Sequence, residues 1–219
     1  MSGGRDRAPF ALYLITDRKL ATRGLIAACE EALAAALAFG RGVAIQLREK
    51  DSSGRELLEL ARELRKVCTR HGARLIINDR IDVALACDAD GVHLPANSFA
   101  VADARELLGA AKLIGCSTHS IDEVKAAHKA GADFVVFGPV FDPISKSGYA
   151  PAAGVKMLRA ACEAAAIPVY ALGGITADRI RELRDSGVSG VAAIGSVFGA
   201  ESIADATRAL MQAIADHLP

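Results

Sequence analysis

The sequence is poor in aromatic residues and has no excess of either charge. Its 219 residues include no tryptophan, and aromatic residues make up 5% of the chain, so burial must rest on Ala, Leu, Val and Ile. Lys and Arg total 26, as do Asp and Glu, which argues against a nucleic-acid partner. No apolar run approaches the roughly 18 residues of a membrane span, so no membrane partner is expected.

The sequence also lacks paired cysteines and a typical leader. Its five cysteines are widely spaced, and none forms a C-x-x-C pair. This spacing is typical of small buried side chains in a reduced, cytoplasmic protein. The charged start of the chain indicates a short tail rather than a signal peptide. We therefore expect a cytoplasmic protein with a tail at 1–10 and a single domain at 11–219.

What the chain does have is a series of short apolar runs with helical patterns between them. Near-continuous apolar runs are typical of parallel strands that are covered on both faces. Eight strand–helix units in about 200 residues predict an α/β protein, a closed (β/α)8 TIM barrel. An open doubly wound sheet is less favoured because no G-x-G-x-x-G follows the first strand. The predicted strands are 12–16, 43–48, 73–78, 91–94, 112–117, 134–138, 168–173 and 190–195.

Polar residues collect where the predicted strands end, which is where barrels of this type carry their active sites. In QLREK the residues Gln46, Arg48 and Lys50 alternate, so in an extended segment they share one face. Buried charge is costly without partners, so this set predicts a ligand or a polar network. Further candidates follow strands three and five: Asn78, Asp79, Ser117 and His119.

The ends of strands seven and eight predict a phosphate site. Gly173 and Gly174 allow backbone N–H groups to approach a ligand closely, and Gly195 and Ser196 precede a segment that can start a helix. Phosphate in these barrels commonly binds between these two loops. The alternative is that the glycines only close tight turns. The preferred interpretation predicts a small phosphorylated ligand in the mouth of the barrel.

The segment GPVFDPISKSGYAP, residues 138–151, has the composition of a loop and contains one cation. Long irregular loops in compact domains are often lids or binding loops. We expect this loop to fold over the mouth, so that Lys146, with Ser145 beside it, meets the anionic ligand.

Taken in order, these motifs resemble one enzyme superfamily. LYLITDR, QLREKD, IINDRIDVA, DGVHL, GCSTHSIDE, FGPVF and ALGGIT are similar to the thiamin phosphate synthases and thiazole tautomerases, from about Leu12 to Phe198. The resemblance implies one of two activities. The synthase joins hydroxymethylpyrimidine diphosphate to thiazole phosphate and uses Mg²⁺. The tautomerase moves a proton on thiazole carboxylate phosphate and needs no metal.

The resemblance also implies roles for individual residues. In the synthase pattern Gln46, Arg48 and Lys50 contact the pyrimidine and the diphosphate, Asn78 matches the residue before the metal ligand, and Asp79 matches the Mg²⁺ ligand itself. The position of a second carboxylate ligand is Ser98 in this sequence. The lysine loop keeps Ser145 and Lys146 but has Pro143 at the position of the first threonine.

Three functions are open at this point. We favour the tautomerase, because Ser98 replaces a carboxylate and diphosphate departure depends on charge neutralisation by metal. His119 would then transfer the proton, while Lys146 and Arg48 neutralise charge. The alternative is a synthase, which the intact QLREK and INDR motifs support. The third is a binding protein for thiazole phosphate without catalysis. Each of them allows a homo-oligomer.

Overall fold

The polypeptide forms a closed eight-stranded parallel barrel. A computed structural model describes residues 10–142 and 151–219. Neighbouring strands pair in chain order, and β1 also pairs with β8, which confirms the TIM barrel and excludes the open sheet. The strands are β1 (Leu12–Ile15), β2 (Val43–Leu47), β3 (Arg74–Asn78), β4 (Gly91–Leu94), β5 (Leu113–Thr118), β6 (Phe134–Phe137), β7 (Val169–Ala171) and β8 (Gly190–Ala193).

Helices follow the strands and cover the outside of the barrel. In the described residues α7 and α8 are single turns, and the longer helix α9 packs against α1 and α7. The helices are α1 (Leu25–Ala36), α2 (Gly54–His71), α3 (Ile81–Ala86), α4 (Val101–Leu108), α5 (Ile121–Lys129), α6 (Gly154–Ala164), α7 (Ala177–Ile180), α8 (Gly195–Phe198) and α9 (Ile203–His217).

Helix α2 shows how local sequence sets an element's limits. Ser53 accepts a hydrogen bond from the Glu56 N–H, and the Glu56 carboxylate accepts one from the Ser53 N–H. This reciprocal pair satisfies two amides that have no partner within the helix. At the other end Gly72 takes the left-handed conformation, with φ 64°, that stops the helix. Leu57 and Leu64, on its apolar face, are buried against the barrel.

The lumen of the barrel is filled by aromatic rings at its N-terminal end. Tyr13, Phe134 and Tyr170 are fully buried there. Phe10 stacks on Tyr170 at 4.5 Å between centroids, and its carbonyl accepts a hydrogen bond from the Tyr170 hydroxyl. Among the described residues these rings occupy the N-terminal part of the lumen, so the candidate site is sought at its C-terminal end.

Two aspartates fasten the N-terminal ends of neighbouring strands. Asp90 comes directly before β4 and accepts hydrogen bonds from the Leu75 N–H at 2.7 Å, from Arg65 at 2.6 Å and from Arg74 at 2.9 Å. Burial alone would raise the pKa of Asp90, but these three donors together hold it below its ordinary value. The Asp90 carboxylate therefore remains charged and partnered.

Asp133 repeats this arrangement before β6. It is 5% exposed, accepts a hydrogen bond from the Ile114 N–H at 2.8 Å and pairs with Arg105 at 2.5 Å. Each aspartate thus links its own strand to the preceding strand and to a helix that packs outside it. These contacts stabilise the closed barrel at the end opposite the expected site.

The cysteines have the predicted environment. All five are free, and four of them are buried. Burial is the main reason that the pKa of Cys116 is raised to about 12, so this thiol stays protonated and unreactive. Within the two described stretches, no helix is both long enough and apolar enough to cross a membrane.

Candidate active site

The floor of the mouth consists of Gln46, His93 and Ser117. Gln46 is 1% exposed, and its side chain lies near the Tyr13 hydroxyl, where it opposes the rise that burial causes in the Tyr13 pKa. Neither Gln46 Nε2 nor the Tyr13 hydroxyl makes a hydrogen bond of ordinary geometry within the described residues. His93 Nε2 lies 2.9 Å from Ser117 Oγ, whereas His93 Nδ1 has no partner among the same residues. The His93 ring rests on the aromatic plug, 5.9 Å from the Tyr13 ring. Two buried nitrogens therefore face the lumen with unused hydrogen-bonding capacity.

His93 is neutral at physiological pH. Burial is the main cause that lowers its pKa to about 3, and the positive charge of Arg48 contributes. The ring can therefore donate or accept hydrogen bonds but adds no charge to the floor. Arg48 follows Gln46 by two residues, so in an extended segment the two side chains are directed to the same face.

The QLREK residues become more exposed from floor to rim. Gln46 is buried, Arg48 is half-buried and Lys50 is exposed, three residues past the end of β2. No acceptor for the Arg48 guanidinium or the Lys50 ammonium is found in the part of the chain that the structure describes. A half-buried guanidinium without an acceptor is suited to bind an anion.

The backbone of Arg48 is held by a buried polar network. Its N–H donates to Thr16 Oγ1 at 2.9 Å, and the Thr16 hydroxyl donates to Glu49 Oε1 at 2.7 Å. Glu49 Oε2 accepts the Arg18 N–H at 3.2 Å. These bonds link the loops after β1 and β2 at the edge of the mouth.

Asp79 and Ser98 stand side by side after β3 and β4. Asp79 has a positive φ of 66°, its N–H donates to the His93 carbonyl at 2.9 Å, and its Oδ1 accepts a hydrogen bond from the Ser98 hydroxyl. The neighbouring Arg80 pairs with Asp82. Asn78, at the end of β3, pairs in register with His93 and is half-buried.

This oxygen set fits a magnesium ion that shares its coordination with a substrate. Among the described residues no group of three or more His, Cys, Asp or Glu side chains could hold a metal by itself. Mg²⁺ commonly uses one or two carboxylates and completes its shell with water and substrate phosphates. Asp79 supplies one carboxylate and Ser98 a neutral oxygen beside it.

The glycines after β7 are required by packing. Gly173 and Gly174 have φ values of 100° and 61°. A Cβ on Gly173 would lie 2.5 Å from Pro139 Cβ, and one on Gly174 would lie 2.5 Å from the Asp142 carbonyl oxygen. The tight-turn alternative thus explains why glycine is needed at both positions, whatever ligand binds nearby.

The start of α8 is different. A Cβ on Gly195 would contact Leu20 Cδ1 at 3.9 Å, so its surroundings are open. The Ser196 hydroxyl is buried and has no partner within residues 10–142 and 151–219. This pair keeps the features expected of an anion site.

His119 and Arg179 border the loop after β6. His119 is exposed, and its Nδ1 donates to the Gly138 carbonyl, which leaves Nε2 as the acceptor in the neutral ring. Arg179 donates to the Gly174 carbonyl at 3.1 Å, and its guanidinium lies 5.1 Å from the centroid of the Phe141 ring. The predicted loop residues Ser145 and Lys146 lie outside the described residues.

Comparison with known proteins identifies the family. A profile described as thiamine monophosphate synthase matches residues 12–197. The chain belongs to the thiamine monophosphate synthase family. It is 48% identical over 168 residues to the thiamine-phosphate synthase of Chlorobium luteolum, a match that covers 76% of this chain and 79% of the relative. The thiamine-phosphate synthase of Syntrophomonas wolfei is 37% identical, with coverage of 93% and 95%.

A solved structure agrees with this assignment. Thiamine phosphate pyrophosphorylase from Pyrococcus furiosus superposes with a TM-score of 0.85 at 35% identity, covering 97% of this chain and 99% of that one. This confirms the superfamily resemblance and the expectation of an enzyme of thiamin biosynthesis. The named relatives support the synthase alternative rather than the tautomerase favoured from the sequence.

The sequence alone does not identify every polar residue at the mouth of the barrel. His93 lies in the fourth predicted strand, and the sequence does not assign it to the site, since its burial and its bond to Ser117 depend on the register of β4 and β5. Thr16 and Glu49 were not assigned either, although the alternation in QLREK already directs Glu49 away from Arg48. No signal in the sequence pointed to Arg179.

Proposed function

We propose that this protein is a thiamin phosphate synthase that joins hydroxymethylpyrimidine diphosphate to thiazole phosphate. The observation that carries the proposal is the floor of the mouth, where Gln46 Nε2 and His93 Nδ1 are buried without partners beneath the half-buried Arg48. Unsatisfied buried polar groups are costly, so they favour a ligand with complementary groups. A neutral heteroaromatic ring attached to an anion matches this set.

The pyrimidine fits the floor and the diphosphate fits the rim. Gln46 and the neutral His93 have hydrogen bonds to offer to ring nitrogens and an amino group. Arg48 and Lys50 add two positive charges nearer to solvent, where the diphosphate would extend. Asp79, with Ser98 beside it, would hold Mg²⁺ against the diphosphate oxygens, and that ion would neutralise charge on the leaving group.

The chain's own residues then have three tasks in the reaction. The bond between the pyrimidine methylene and the diphosphate oxygen breaks, and a bond forms between that methylene and the thiazole nitrogen. Arg48 and Lys50 stabilise negative charge on the departing diphosphate. Gly195 and Ser196 would hold the phosphate of the thiazole, so that its nitrogen faces the methylene. Lys146, in the loop after β6, is proposed to close over both anions.

The tautomerase stays a second candidate because of one observation. Ser98, and not a carboxylate, stands against Asp79, so less negative charge is available for a metal. His119 Nε2 is the group that would transfer the proton in that case, because its Nδ1 is held by the Gly138 carbonyl.

Two assays separate these candidates. The purified protein is incubated with both synthase substrates and Mg²⁺, and thiamin phosphate is quantified; separately, aromatisation of thiazole carboxylate phosphate is followed. Titration calorimetry with the pyrimidine diphosphate, with and without Mg²⁺, measures binding. We expect magnesium-dependent binding and product formation. Aromatisation without any binding of the pyrimidine diphosphate would reject the synthase.

A further inference from the structure

Glu49 is a buried carboxylate that the proposed chemistry does not use. It is 7% exposed, and no Lys, Arg or His of the described residues lies within ion-pair distance of it. Its two oxygens accept hydrogen bonds from the Thr16 hydroxyl and the Arg18 N–H instead. Because burying a charge without a counter-ion is costly, its presence at the edge of the mouth requires a reason.

The structure around Thr16 supplies that reason. The Thr16 N–H donates to the Gln46 carbonyl at 2.9 Å and so continues the pairing of β1 with β2. The next bond comes from the side chain, since Arg48 N–H donates to Thr16 Oγ1 at 2.9 Å. A hydroxyl has a single proton, and the bond to Glu49 uses it. Glu49 therefore turns a lone pair of Thr16 toward Arg48.

We infer that Thr16 and Glu49 are positioning residues that act through Arg48. They extend the sheet by one residue beyond the end of β2 and fix the angle at which the Arg48 side chain enters the mouth. Anion binding by a guanidinium depends on such a fixed angle, since its donors form a rigid fork. The inference rests on the proposed function, in which Arg48 binds the diphosphate.

The test measures binding of inorganic diphosphate with Mg²⁺ by calorimetry, and kcat/KM with both substrates. Thr16→Val keeps the shape and removes the hydroxyl, and about tenfold weaker diphosphate binding is expected, the scale of one lost hydrogen bond. Thr16→Ser keeps the hydroxyl and is expected to bind within about twofold of the original protein. Thr207→Val is the matched control, because Thr207 is equally buried but its hydroxyl has no partner in the described chain; its binding should not change.

Glu49→Gln tests the second member without removing volume. The amide can accept from Thr16 or from Arg18 but cannot accept from both, so a loss of about threefold in diphosphate affinity is expected. If Thr16→Val does not fold, Glu49→Gln still tests whether the network positions Arg48. Folded Thr16→Val and Glu49→Gln proteins that bind diphosphate as tightly as the original would overturn the inference.

A double-mutant cycle with Arg48→Met distinguishes positioning from general support. If Thr16 acts through Arg48, Thr16→Val changes diphosphate affinity by less than about twofold once Arg48 is gone. An equal loss in both backgrounds would mean that Thr16 supports the fold only, and would reject the inference. If Arg48→Met alone binds diphosphate normally, the proposed role of Arg48 fails, and the inference fails with it.

Discussion

The two ends of the barrel use polar groups in opposite ways. At the N-terminal end Asp90 and Asp133 each accept several hydrogen bonds and face an arginine. At the C-terminal end Gln46, His93 and Ser196 each have a buried polar atom without a partner among the described residues. A fully partnered group stabilises the fold, whereas an unpartnered one lowers stability unless a ligand completes it. Single unpartnered atoms also occur elsewhere in the described residues, at Tyr13 Oη, Thr207 Oγ1 and His217 Nδ1. The feature that distinguishes the mouth is therefore the grouping of several such atoms beside a half-buried arginine.

The largest loss of stability is expected when a partnered carboxylate at the N-terminal end is removed. We expect Asp133→Ala to lower the free energy of unfolding by about 2–3 kcal/mol, because the buried Ile114 N–H loses its carboxylate acceptor. Arg105 loses its carboxylate partner but keeps the backbone carbonyls to which it also donates. Chemical denaturation measures this loss, with Asp103→Ala, in the exposed first turn of α4, as the control. The diphosphate affinity of the folded fraction should be unchanged. A specific loss of affinity would contradict the claim that the N-terminal end serves only the stability of the fold.

A pH dependence should come from the mouth. The folded pKa of His93, about 3, lies below the ordinary value of 6.5, so below pH 6.5 the unfolded chain takes up a proton that the folded chain refuses. This contribution to stability is present above pH 6.5 and is lost as the pH falls toward 3. Between pH 7 and pH 5 it amounts to about 2 kcal/mol.

Comparison of unfolding free energies at the two pH values tests this assignment. The loss on acidification should be about 2 kcal/mol smaller in His93→Gln than in the original protein. His128→Gln, on the exposed face of α5, serves as the control and should behave like the original. Equal losses in all three proteins would show that His93 is not held neutral by burial.

Gln46→Leu should affect stability and activity in different directions. Removing an unsatisfied buried amide leaves the free energy of unfolding unchanged or raises it, since an apolar group of similar size replaces it. The value of kcat/KM for the pyrimidine diphosphate should fall about tenfold, as expected for one lost hydrogen bond to substrate. Gln212→Leu on α9 should alter neither activity nor substrate binding. Strong destabilisation by Gln46→Leu would mean that its amide is already satisfied.

The smallest effect is expected at an exposed member of the N-terminal network. Arg74 is 51% exposed, and Asp90 keeps Arg65 and the Leu75 N–H when Arg74 is replaced. Arg74→Gln should therefore lower the free energy of unfolding by less than about 0.5 kcal/mol. Thermal unfolding beside Arg65→Gln checks the order, and a larger loss for Arg74 would contradict it.

The fold could be predicted from the sequence because most strands are near-continuous apolar runs. The run GVHL, for example, was predicted at 91–94 and forms β4 over those residues. The end of β7 was harder to predict. The strand stops at Ala171 because the chain turns at Gly173, where Pro139 packs against the turn. That contact joins residues far apart in sequence and has no local signal.

The candidate site could be predicted from the sequence only in part. Alternation in QLREK predicts that Gln46 and Arg48 share one face, and in the structure Gln46 is buried and Arg48 half-buried. The bond between Thr16 and Glu49 joins residues 33 positions apart and depends on the register of β1 with β2. Charge state was equally hidden, since the neutrality of His93 follows from its burial and not from its residue type.

The aromatic plug affects the order in which ligands bind and leave. Phe10, Tyr13, Phe134 and Tyr170 pack together across the N-terminal end of the lumen, so a ligand would reach Gln46 and His93 from the opposite end. In the proposed function, the molecule bound at Gln46 and His93 would enter before the molecule bound at the rim and would leave after it. For a reaction that unites two molecules, the sealed end sets the sequence of arrival and departure.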